Sequence, residues 1–69
     1  MSLEYMVAKQ LSQDEFIRVL LEQDPDLSLE DAASLKRDAL DEVRNGTSAA
    51  EVVRLFFDLG PKWAKVLLA

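Results

Sequence analysis

Three times along this chain a serine stands three residues before an acid at the head of an apolar run: Ser12 before Glu15, Ser28 before Asp31 and Ser48 before Glu51. In such a capping box the serine oxygen accepts a backbone N–H that the first helical turn leaves unpaired. The acid, best as Glu, reaches back to the serine's own N–H. Each box therefore predicts a helix start, and a stop follows each one. The residue before Pro25 is pushed out of the α region. Asn45-Gly46 supplies a left-handed C-cap. Gly60 closes the third run, and Pro61 suits the first position of another helix. Residues 2–10 read as an opening helix, while the Leu3, Tyr5, Val7 alternation also fits a strand. The expectation is an all-α fold. It is a compact bundle of four to five short helices at 2–10, 12–23, 28–45, 48–59 and 61–68, forming one small domain over residues 1–69.

The helix faces differ. Over 28–45 the apolar positions form a narrow stripe of Ala32, Leu35, Ala39 and Val43, flanked by Leu29 and Leu40, so that helix is expected at the surface. Over 48–59 the polar side chains beyond the cap are Glu51, Arg54 and Asp58, a single thin line. Val52, Val53, Leu55, Phe56, Phe57 and Leu59 occupy the rest. A helix apolar nearly all round is expected to be buried nearly all round, so 48–59 is expected to be the central helix of the bundle.

Five short helices have little mass with which to cover such a helix. The chain also runs through Val66-Leu67-Leu68-Ala69 with no polar residue among them. Apolar surface left uncovered marks interfaces, and small domains often recover missing core by oligomerising. Trp63, Val66, Leu67, Phe56 and Phe57 are therefore the candidate contact residues for a protein partner or a homodimer. Trp63 leads, because aromatics dominate interface hot spots.

Catalytic chemistry finds little to use. There is no Cys and no His, so the commonest general base and the commonest metal ligands are missing. The hydroxyls of Ser12, Ser28 and Ser48 serve as caps, and no Gly-rich loop offers a phosphate cradle. Asp24-x-Asp26-x-Ser28-x-Glu30 has the alternating oxygens of a calcium loop. Leu29 stands where the sharp turn needs Gly, and Leu35 where the bidentate Glu belongs. The expectation is a non-enzymatic protein with no cofactor, no metal and no small-molecule substrate. No apolar run approaches the ~20 residues that span a bilayer. Glu4 and Lys9 interrupt the first eleven residues, against a signal peptide. A cytoplasmic location is expected.

The formal charge of −5 is unevenly placed. Residues 1–31 carry −6 and residues 32–69 carry +1. Glu22, Asp24, Asp26, Glu30 and Asp31 form an acidic turn with no base among them, a natural rim for an interface with a basic partner.

Leu35-Lys36-Arg37-Asp38-Ala39, followed by Gly46-Thr47-Ser48-Ala49-Ala50-Glu51-Val52-Val53-Arg54-Leu55-Phe56, resembles the first two helices of a transposase-type helix-turn-helix. The resemblance implies a DNA-binding regulator built on residues 35–69, with Lys36, Arg37, Lys62 and Lys65 on phosphate. The chain departs from that family's pattern at the turn, where Phe57 replaces the usual Gly, and at Val53, where a small residue is usual. Pro61 to Ala69, in the place of the recognition helix, offers only Lys62 and Lys65 as polar side chains, without Arg, Asn or Gln for base edges. The leading functional expectation is an interaction or regulatory module that binds a protein, or itself, through an apolar helical surface with an acidic rim. The alternatives are the DNA-binding regulator and an acidic, antitoxin-like inhibitor that mimics DNA.

Overall fold

The computed structural model describes residues 13–69. The opening helix or strand at 2–10 and the capping role of Ser12 lie outside these residues. Those described are all-α, with four helices: α1 (Glu15–Gln23), α2 (Leu29–Arg44), α3 (Ala49–Phe57) and α4 (Trp63–Leu68).

The cap of α1 differs from the expectation. Asp14 has the extended backbone of the N-cap, and its Oδ1 accepts the Ile17 N–H at 3.1 Å. The helix thus starts at Glu15, with Phe16, Ile17 and Leu20 on its buried face. It stops where Pro25 requires: Asp24 is extended, and its N–H donates to Leu20 O at 3.1 Å. Asp24-Pro25-Asp26-Leu27 then turns, with Leu27 N–H donating to Asp24 O at 3.0 Å and Asp26 N–H to Asp24 Oδ1 at 3.2 Å. Proline as the second residue of a turn and aspartate as its first are the types that geometry favours.

The other two serine caps form as expected. Ser28 Oγ accepts the Asp31 N–H at 3.0 Å, and Ser48 Oγ accepts the Glu51 N–H at 3.2 Å. Glu30 and Asp31 lie in the first turn of α2, and Arg44 in its last, each sign matched to the helix dipole. The end of α2 is a Schellman motif. Gly46 takes φ +112°, its N–H donates to Val43 O at 3.1 Å, and Thr47 N–H donates to Glu42 O at 3.1 Å. The end of α3 comes sooner than the sequence suggested. Asp58 (φ 54°, ψ 42°), not Gly60, adopts the left-handed conformation that stops it.

The core gathers Phe16, Ile17 and Leu20 from α1, Ala32 and Ala39 from α2, Val52 and Val53 from α3, Leu59 just beyond it, and Leu67 from α4. Both α2 core positions are alanines with no exposure. They leave room for large side chains to reach across α2 from its neighbours. Helix α2 packs against each of the other three, and α3 packs on α2 and α4. The expectation that 48–59 is buried nearly all round meets a different arrangement. Val52 and Val53 are sealed, whereas Leu55 and Phe56 are 59% and 47% exposed. A helix is buried only where another element lies over it, and nothing among the described residues covers this flank of α3.

Candidate functional site

The uncovered flank of α3 is one wall of a groove. Leu55, Phe56 and Phe57 face Leu20 at the end of α1, Leu27 in the following turn and Leu35 on α2, around an open trough of about 340 Å³. Gln23, Asp24 and Asp58 complete its lining, which contains no Lys or Arg. Leu20 is buried and forms part of the floor, while Leu35, Leu55 and Phe56 account for three of the four large exposed apolar side chains among the described residues. Their convergence on one trough distinguishes it from scattered surface apolars, which need no explanation.

Phe57 links the groove to the core. Its ring meets that of the fully buried Phe16 edge-to-face at 5.0 Å between centroids, and the Phe56 ring lies tilted against it at 6.1 Å. Edge-to-face pairs are favourable beyond their burial, so the inner aromatic is held fixed while the outer one stands free. The rim is acidic at both ends of the wall. Asp24 is exposed and held by the turn it closes, and Asp58 is exposed and oriented by the backbone turn that ends α3.

The five apolar residues expected to share one interface are divided by the fold. Phe56 and Phe57 line the groove. Trp63 and Val66 are half-buried and line a separate shallow hollow with Glu15 and Lys62. Leu67 is 1% exposed and belongs to the core, so it can present no contact surface without opening the fold. Of the acidic residues, Glu22, Asp24, Asp26, Glu30 and Asp31 are all exposed, and Asp24 lines the groove. Sequence reading missed Leu20, Leu27, Leu35, Leu55 and Asp58 at this site. The available signal was the excess of apolar residues on 48–59; which of them would be left over depends on how the helices dock.

The four cations assigned to DNA phosphate are differently placed. Lys36 is mostly buried and its Nζ lies 2.5 Å from Asp14 Oδ2. Arg37 is exposed and donates to Ser34 Oγ at 3.3 Å. Lys62 lies over the Trp63 ring, 5.7 Å from its centroid, and Lys65 is exposed. A second hollow of about 570 Å³, between the head of α3 and the turn into α4, is lined by Glu51, Arg54 and Asp58 among others, and Arg54 sits 3.7 Å from Glu51. Among the described residues no group of three His, Cys, Asp or Glu is placed to hold a metal ion, and no helix is long and apolar enough to cross a membrane. Comparison with protein-family models, with curated proteins and with solved structures returned no match.

Proposed function

We propose that this protein is a small, non-enzymatic interaction module that binds a protein partner in the groove between α3 and the α1–α2 turn. The observation that carries the reading is the convergence of Leu35, Leu55 and Phe56, all exposed, on one trough with a buried floor and an acidic rim. An apolar centre that can be fully desolvated, surrounded by polar groups that stay wet, is the anatomy of a protein-binding hot spot. The trough volume lies at the bottom of the range for small-molecule pockets, ~300–1,000 Å³, and its openness suits the side chains of a macromolecule better than an enclosed ligand. The DNA-binding alternative draws less support, because Lys36 is engaged by Asp14 and the groove rim is acidic.

The test compares captured proteins from cells expressing the tagged wild type or a Leu55→Ser/Phe56→Ser variant. Both side chains are partly exposed, at 59% and 47%, so the variant is expected to keep its helical circular dichroism while its thermal midpoint falls by several degrees, as Phe56 loses its packing on Phe57. A partner held by the wild type and lost by the folded variant supports the reading. Identical captures with both chains sink it.

A further inference from the structure

We infer that the occupant of the groove is a basic, amphipathic helix of another protein, an inference that rests on the groove being the binding site and adds the chemistry of what it binds. Three features of the surface lead there. The first is charge. The groove lining holds two carboxylates, Asp24 and Asp58, and no cation, and Asp26 adjoins Asp24 through the hydrogen bond from its N–H. Complementary potential sets which partners approach and in which register. A segment with Lys or Arg flanking its apolar stripe gains attraction at this rim, and an acidic one is repelled.

The second is symmetry. Two copies of this chain joined groove to groove by a two-fold axis would set each rim against its own equivalent. Asp24 of one copy would then approach Asp24 or Asp58 of the other, with no Lys or Arg in either lining to offset them, in a chain that already carries −5. A second copy is thus a poor fit for this face, and a partner of opposite sign a good one.

The third is backbone. An extended peptide that binds by strand addition needs a sheet edge, and the described residues contain no strand to add to. A helix brings its own satisfied backbone and needs only a trough for the apolar side chains it repeats at i, i+3, i+4 and i+7. Leu35, Leu55 and Phe56 are walls of that kind, with Leu20 below them.

Two synthetic peptides test this against the full-length chain by fluorescence anisotropy. Both are helix-forming and carry Leu at i, i+3, i+4 and i+7; one is flanked by Lys, the other by Glu at the same positions. The Lys peptide is expected to bind about tenfold or more tightly than the Glu peptide, as two or three rim pairs would give. Most of that difference should vanish when the salt is raised to about 0.5 M. Asp24→Asn/Asp58→Asn is expected to reduce the preference, and Leu55→Ser/Phe56→Ser, checked for an unchanged circular dichroism spectrum, to abolish binding of the Lys peptide. Equal binding of both peptides, lost in the Leu55/Phe56 variant, overturns the basic partner and leaves the groove standing. Binding that the Leu55/Phe56 variant retains overturns the groove itself, as does failure of both peptides to bind. A wild type that sediments as a dimer and becomes a monomer on Leu55→Ser/Phe56→Ser replaces the basic helix with a second copy.

Discussion

The Nζ of Lys36 on α2 lies 2.5 Å from Oδ2 of Asp14, the residue that caps α1 with its other carboxylate oxygen. One side chain therefore starts a helix and pins it to a second across 22 residues of sequence. Both partners are largely shielded from solvent, at 14% and 26% exposure, so the pair is worth more than an ion pair on an open surface. Asp14→Ala is expected to cost about 1–3 kcal/mol, combining an N-cap with a shielded pair. Asp14→Ser restores the cap and should recover roughly half of that loss. A double-mutant cycle with Lys36→Met, read by urea unfolding, is expected to give a coupling of about 1–2 kcal/mol. A coupling of zero would make the contact geometric only.

The same carboxylate gives a pH dependence. Burial pushes the Asp14 carboxyl upward, but the hydrogen bonds from Lys36 and from Ile17 N–H, with the Lys36 charge, hold it below its ordinary value of 3.8. A carboxyl depressed in the folded state contributes stability that is fully present above its unfolded pKa. That contribution is lost as pH falls through the lower, folded value. Asp14→Asn keeps a capping oxygen and removes the charge. The stability gap between wild type and Asp14→Asn should therefore be constant from neutral pH down to about pH 5 and shrink below about pH 4. Urea midpoints at about pH 7, 4 and 2.5 check this. A gap that widens on acidification would contradict the pairing.

What the sequence shows and what it hides divide along the range of the interaction. Ser28, Ser48 and Gly46 were legible because each acts on backbone within five residues of itself, and the residue type is what the local geometry demands. The start of α1 was less legible: Ser12 and Asp14 are both N-cap residue types, and the pairing of Asp14 with Lys36 lies beyond any local pattern. The groove was half legible. That 48–59 has more apolar residues than a small bundle can cover follows from its composition. Which flank is left bare follows from where α2 and α4 dock on it, a tertiary outcome with no periodic signature on an almost uniformly apolar helix.

The left-handed residue at Asp58 was likewise hidden, since Gly60 is the residue type that usually ends a helix. Asp58 bears the cost of a positive φ, about 1–2 kcal/mol for a residue with a Cβ, less what an aspartate recovers locally. Asp58→Gly is expected to raise stability by roughly 0.5–1 kcal/mol after the entropy of glycine is set against the relieved strain. Gly46→Ala should lower it by about 1 kcal/mol, because φ there is +112°. Gly60→Ala should be neutral or slightly stabilising, since a Cβ there meets nothing within 4 Å. Thermal midpoints of the three variants rank the turns directly. A destabilised Asp58→Gly would mean that the aspartate side chain holds the turn.

Adjacent leucines at the end of α4 separate core from surface. Leu67 is 1% exposed and Leu68 56%. A chain of 69 residues has about 3–10 kcal/mol of stability in all, and Leu67→Ala is expected to remove about 2–5 of it. Much of that variant should be unfolded at 25 °C by circular dichroism. Leu67→Met, which conserves volume, should stay folded at a cost under about 1.5 kcal/mol. Leu68→Ala should fall within about 0.5 kcal/mol of wild type. A folded, unchanged Leu67→Ala would place α4 off the core.

Trp63 carries the sharpest contrast between a stability role and an interface role. It is half-buried and packs on the core, its ring is met by the Lys62 ammonium, and it lines a hollow separate from the groove. Truncation to alanine is expected to cost about 1.5–3 kcal/mol of folding stability through lost burial, and Lys62→Ala at most about 1 kcal/mol through the lost cation–π contact. Trp63→Phe keeps most of the packing and should leave a folded chain that binds its partner with wild-type affinity, because the groove walls are untouched. As the single tryptophan, Trp63 also reports on its own position. Its emission should shift to the red on unfolding and stay unchanged when the Lys-flanked peptide binds. A folded Trp63→Phe that no longer binds, or an emission shift on binding, would move the interface from α3 to α4.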